Sequence, residues 1–104
     1  MDDLQQLGGN IDLVGFRQVD GGSMIVVKKL VGNYARKFSD RLAAFERLTL
    51  TVKPVHHTEG GSSMYELHAK VCFDGKSSNA DTTDHNLFFA VDKVLKGVEK
   101  QTLQ

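Results

Sequence analysis

Hydrophobic and polar residues alternate with a period of two along two stretches in the middle of the chain. Leu48, Leu50 and Val52 alternate with Arg47, Thr49, Thr51 and Lys53, and Tyr65, Leu67, Ala69, Val71 and Phe73 alternate with Glu66, His68, Lys70 and Cys72. A period of two sends successive side chains to opposite faces, so each stretch is expected as a strand with one apolar and one polar face. Between them, Thr58, Glu59, Gly60, Gly61, Ser62 and Ser63 supply turn-forming residues, which makes the pair an antiparallel hairpin. Pro54 implies that the first strand is ending there or has an unpaired side.

Elsewhere the period lengthens. Ile11, Leu13, Val14 and Phe16 make a short strand interrupted at Gly15, where the missing side chain suits a bulge or a close neighbour. The turn Asp20-Gly21-Gly22 leads to Ser23 as helix N-cap, and helical spacing then runs to about Phe38. Val27, Leu30, Val31, Tyr34 and Phe38 share one side; Gly32 weakens the helix by about 1 kcal/mol, which packing offsets. Residues 40–45 connect to the next strand. After Asp74-Gly75, a tight-turn signal, residues 76–82 return as a third antiparallel strand poor in apolar residues. Leu87, Phe88, Val91, Val94, Leu95 and Val98 then recur at helical spacing behind a polar start at residues 84–86.

The predicted order is β-α-β-β-β-α. If the first strand runs parallel to the second, the first helix is the crossover between them, and both helices pack on one face. The fold class is α+β: a two-layer sandwich with a four-stranded mixed sheet and two helices on one side. Residues 1–10, polar and ending near Gly8-Gly9, are expected as a loose tail, 11–101 as one domain and 102–104 as a short C-terminal tail.

Composition narrows this picture. A chain of 104 residues suits one domain, and no apolar run approaches the ~20 residues of a membrane span. Thirteen basic and thirteen acidic residues cancel, so only a segregation of the signs would point to nucleic acid. The first helix provides one: Lys28, Lys29, Arg36 and Lys37 lie opposite its apolar side, with no acidic residue between Ser23 and Ser39. Lys93, Lys96 and Lys100 share a face of the second helix, interrupted by Asp92 and Glu99. Lysines on a surface helix also serve solubility and the helix dipole, so the first helix is the more telling. A lone cysteine, Cys72, rules out an internal disulfide and suits a reducing compartment, and the N-terminus lacks a secretory pattern; a cytoplasmic location is expected.

Other residue types carry less. His56, His57, His68 and Glu59 have the chemistry of zinc ligands, but adjacent histidines on a strand face opposite ways, and surface histidines are the better reading. His85 reads as a turn residue, Cys72 as an unreactive strand thiol, and the Gly21-Gly22-Ser23 turn lacks the spacing of a phosphate loop. Phe88 and Phe89 do not both fit one narrow core stripe, so one of them meets the sheet edge or a partner. No nucleophile with a positioned base can be named, and neither enzyme activity nor a cofactor is expected.

The segment Asn86-Leu-Phe-Phe-Ala-Val-Asp-Lys-Val-Leu-Lys-Gly-Val-Glu-Lys-Gln101 resembles the last helix of the ribosome hibernation-promoting factors, also called ribosome-associated inhibitors or sigma-54 modulation proteins. In that family the helix opens on a polar or acidic residue, carries an aromatic and then Ala-Ile/Val-Asp, and ends near Glu-Arg/Lys-Gln; the matching residues are Asn86, Phe88, Ala90, Val91, Asp92, Glu99, Lys100 and Gln101. Ile11-Asp-Leu-Val-Gly15 is similar to the family's first strand, and the element order fits from 11 to 101. The resemblance implies a non-enzymatic hibernation factor that binds ribosomal RNA and inhibits translation under stress by occupying the decoding region of the small ribosomal subunit. It also implies that Lys28, Lys29, Arg36, Lys37, Lys93, Lys96 and Lys100 form the RNA-binding surface. The chain departs from the family in its neutral charge and its Thr102-Leu103-Gln104 end, which implies weaker binding, and it matches the short forms only. The alternative is a protein-interaction module or homodimer that uses the uncovered sheet face, with Arg47, Thr49, Thr51, Lys53, Glu66, His68 and Lys70.

Overall fold

The computed structural model describes residues 4–56 and 63–103, with Pro54, His56 and Ser63 as backbone. Where the period is two the chain is extended: β3 (Phe45–His56) and β4 (Ser63–Phe73) pair antiparallel with Leu50 opposite Ala69, and β5 (Lys76–Asp84) pairs with β4 through the Asp74-Gly75 turn. The loop expected at 58–63 lies almost wholly outside the described residues, but the register from Phe45↔Phe73 to His56↔Ser63 establishes the hairpin. β2 (Ile11–Val14) runs parallel to β3, with Ile11 opposite Leu48. That connection requires a crossover, and α1 (Gly21–Arg41) supplies it.

The sheet has five strands, in the spatial order β1-β2-β3-β4-β5, rather than the four expected. The additional strand, β1 (Leu4–Leu7), comes from the stretch expected to be a loose tail. Gly8 and Gly9 take φ values of +62° and +85° and turn the chain so that Leu7 pairs antiparallel with Ile11 and Leu4 with Val14. Positive φ at consecutive glycines is turn chemistry rather than looseness.

Three helix boundaries also shift. The cap of α1 is Asp20, not Ser23: its carboxylate accepts a 2.9 Å hydrogen bond from the Ser23 backbone N–H, and the helix continues past Phe38 to Arg41 before the Leu42 N–H closes it on the Phe38 carbonyl. α2 (Leu87–Thr102) starts as expected, with the Asn86 side chain accepting from the Phe89 N–H at 3.0 Å. It ends one residue beyond 101, and Leu103 packs against the core.

The core lies between the sheet and both helices. Ile11, Leu13, Leu48, Leu50, Val52, Leu67, Ala69 and Val71 from the strands meet Val27, Val31, Phe38, Val91, Val94, Leu95 and Val98 from the helices, all buried. Burying a side chain of this size contributes about 1.5–3 kcal/mol, so the helical layer is held chiefly by this contact. Gly15 has φ +87°, and a Cβ there would collide with the Val52 carbonyl; its absence lets the chain leave β2 beside β3. The Leu48 N–H donates to Asn10 on the β2 side, and a period of two sends the Pro54 nitrogen the same way. β2 ends opposite Thr51, so the donor that Pro54 lacks has no strand to meet.

Candidate nucleic-acid interface

Core packing of the two helices dictates what they show to solvent. α1 buries Met24, Val27, Val31, Tyr34, Ala35 and Phe38, which leaves Lys28, Lys29, Arg36 and Lys37 exposed. α2 buries Leu87, Ala90, Val91, Val94, Leu95 and Val98 and exposes Lys93, Lys96 and Lys100. All seven residues singled out from the sequence therefore lie on the helical layer and reach water. Arg41, assigned to a connection by the sequence reading, extends the cationic series of α1 because the helix runs to that residue. Its signal was masked by Asp40 beside it.

The seven differ in what they touch. Lys37 pairs with Glu99 of α2 at 3.1 Å and stands 5.0 Å from the centre of the Tyr34 ring. Lys93 pairs with Asp84 at 2.9 Å and Lys96 with Asp92 at 3.6 Å. Lys28, Lys29, Arg36 and Lys100 have no carboxylate within 4 Å among the described residues. The Asp84 carboxyl is held below its ordinary range, first by the Asn86 backbone N–H that it accepts and then by Lys93. Exposed pairs of this kind contribute little stability and are screened by salt, so they leave the lysines available to a phosphate.

The helices differ in charge from the rest of the sequence. The two helices carry eight basic and three acidic residues, while the rest of the chain carries five basic and ten acidic. The zero net charge thus conceals two helices whose own residues carry a surplus of five positive charges.

The opposite, open face of the sheet is arranged differently. His68 lies between two carboxylates, Nδ1 2.5 Å from Asp81 Oδ1 and Nε2 2.9 Å from Glu66 Oε2. Arg47 donates to Asp12 at 2.7 Å and to the Gly9 carbonyl at 3.3 Å. Thr49, Thr51, His68, Lys70, Asn79 and Asp81 line a shallow depression of about 380 Å³ there. Arg47 with Asp12 and His68 with Asp81 pair across strands, and His68 with Glu66 along one. His57 and Glu59, weighed above as zinc ligands, lie outside the described residues, and no group of three or more ligating side chains gathers among the described ones. No described helix is long and apolar enough to cross a membrane.

No family model matches the sequence, and neither does any curated protein sequence. Solved structures do match the fold. A ribosomal subunit interface protein from Coxiella burnetii superposes with a TM-score of 0.60 and 12% sequence identity, over 90% of this chain and 91% of that one. The Protein Y N-terminal domain of Thermus thermophilus superposes with a TM-score of 0.56 and 16% identity, over 93% of this chain and 94% of that one. The resemblance carried by the residues of α2 is met by the architecture of nearly the whole chain, which has the fold of these two proteins.

Proposed function

We propose that this chain is a ribosome-associated, RNA-binding protein of the cytoplasm that inhibits translation by occupying the decoding region of the small ribosomal subunit. The observation that carries this reading is the excess of basic over acidic residues on the two helices, found in a fold shared with a ribosomal subunit interface protein. Phosphate charge dominates affinity for RNA, and no base-specific contact is needed to fill a space. A helical pair that presents Lys28, Lys29, Arg36 and Lys100 with no carboxylate partner among the described residues meets that requirement. Lys37, Lys93 and Lys96 add to it once their exposed partners exchange for phosphate oxygens. The chain works by binding, not catalysis, and takes no cofactor.

Competition tests this reading. Purified chain added to isolated small subunits is expected to displace a messenger bound at the decoding region, with Lys28→Glu and Lys29→Glu together abolishing the displacement. A messenger that stays bound at saturating chain would refute the occupancy mechanism. The open sheet face offers the contrasting outcome: a chain that dimerises through Thr49, His68 and Lys70 would be dissociated by changes there and unaffected on the helices.

A further inference from the structure

Of the two neighbouring phenylalanines in α2, Phe88 is half-buried against the core, while Phe89 is 66% exposed. Phe89 is not isolated from the lysines. Positions 89, 93, 96 and 100 are spaced four, three and four residues apart, which places them on one stripe of a helix with 3.6 residues per turn. All four are exposed. At 1.5 Å per residue the stripe is about 16 Å long, with an aromatic ring at its head and an ammonium at each later turn. Of the acidic residues of α2, Glu99 is engaged toward α1 by Lys37, and Asp92 is shared between Tyr34 of α1 and Lys96 at 3.6 Å. Lys93 pairs with Asp84 at 2.9 Å; these exposed pairs exchange for phosphate at little cost, and Lys100 has no carboxylate partner among the described residues.

We propose that the outer face of α2 is a single-stranded RNA contact, in which Phe89 stacks on an unpaired base while Lys93, Lys96 and Lys100 hold the adjoining phosphates. The inference rests on the RNA-binding reading above and adds the strandedness of the partner. A flat apolar ring needs a flat apolar surface, and every base offers one once it is out of a duplex. The surrounding lysines select between kinds of partner. Lysine is depleted from the cores of protein interfaces, because sealing an aromatic residue there would strip water from the ammoniums as well. Beside a stacked base the backbone brings phosphates, and the ammoniums gain a counter-charge. A duplex keeps its bases inside the stack and offers Phe89 nothing.

The chain has no tryptophan, so Phe89→Trp introduces a single indole at the proposed contact. The experiment measures binding of a labelled oligoadenylate, and of a duplex RNA of equal length, to wild type, Phe89→Ala, Phe89→Leu and Phe89→Trp. The exposed position leaves folding intact, which circular dichroism verifies. Phe89→Ala and Phe89→Leu are expected to weaken single-strand binding about tenfold, near the lower end for one stacked base, and to leave duplex binding unchanged. Phe89→Trp is expected to keep the affinity and to lose indole fluorescence on adding oligoadenylate but not duplex. Equal binding by wild type and Phe89→Leu, an unquenched indole with RNA bound, or no oligoadenylate binding at all would overturn the contact. If small subunits fail to retain the wild type while oligoadenylate still quenches the indole, the ribosomal reading falls and this contact stands. Retention on subunits without any oligoadenylate binding gives the reverse.

Discussion

The Tyr34 hydroxyl donates a 2.9 Å hydrogen bond to Oδ1 of Asp92, joining the two helices across 58 residues of sequence. Burial, followed by the facing Asp92 carboxylate, pushes the phenol well above its ordinary ionisation range. Tyr34→Phe removes the bond but keeps the packing, and is expected to cost about 1 kcal/mol, since Asp92 keeps Lys96 and solvent as partners. The sign with pH follows from the raised value. Below about pH 10 the proton is present in both folded and unfolded chains and the contribution is complete; above it the unfolded chain loses its proton first, and stability falls. Denaturant titrations at pH 8 and pH 11 should show wild type losing more than Tyr34→Phe. Equal losses would count against this account.

Gly15 is expected to tolerate no side chain. Gly15→Ala adds a Cβ that collides with the Val52 carbonyl and imposes a positive φ on alanine, a cost on the order of 2 kcal/mol. Urea unfolding of the variant measures it, and wild-type stability would show that the chain leaves β2 by another path.

Arg47 ties the edge hairpin to the sheet through Asp12 and the Gly9 carbonyl, and Gln6 donates to the same Asp12 oxygen. Arg47→Met is therefore expected to speed hydrogen exchange at the β1 amides of Leu4–Leu7 while β4 stays protected, with a loss of about 1 kcal/mol for these partly exposed contacts. Unchanged exchange in β1 would mean that backbone pairing alone retains it.

Asp20 caps α1, and the backbone N–H of Ser23, the largest influence, holds its carboxyl below the ordinary range. A lowered value contributes stability fully above about pH 4, lost as pH falls through the folded-state value. Asparagine also caps, but without charge. Melting curves should show Asp20→Asn less stable than wild type at pH 7, with the gap narrowing as pH is taken below about 4. A gap that keeps the same size as pH falls would remove the carboxylate from the explanation.

What was legible in the sequence is what local periodicity encodes. Leu48-Leu50-Val52 and Leu67-Ala69-Val71 announced the central strands, and the 3.6-residue spacing of Leu87 to Val98 announced α2, because each pattern follows from burying one face. β1 had no such pattern. Leu4 and Leu7 stand three apart, so on a strand they face opposite ways, and the pairing of Leu7 with Ile11 depends on a hairpin rather than on alternation. The α1 cap was misassigned because aspartate and serine both cap helices, and only the geometry shows which accepts. For the site, sequence spacing identified which cations leave the core. It did not show that Lys37 would meet Glu99, 62 residues away, or Lys93 meet Asp84. Nor did it separate Phe88, packed against the core, from Phe89, which is exposed.

Ribosome binding by this chain requires that the helical face grip phosphates. Retention of the chain on isolated small ribosomal subunits, measured by sedimentation from about 50 to 200 mM salt, tests this most directly. Phosphate contacts from all seven basic residues predict that the logarithm of the binding constant falls with the logarithm of salt at a slope of about −5, and that Lys28→Glu with Lys29→Glu, folded by circular dichroism, weakens binding and reduces the slope by about 2. Salt-independent retention, or a double variant retained as firmly as wild type, would contradict it.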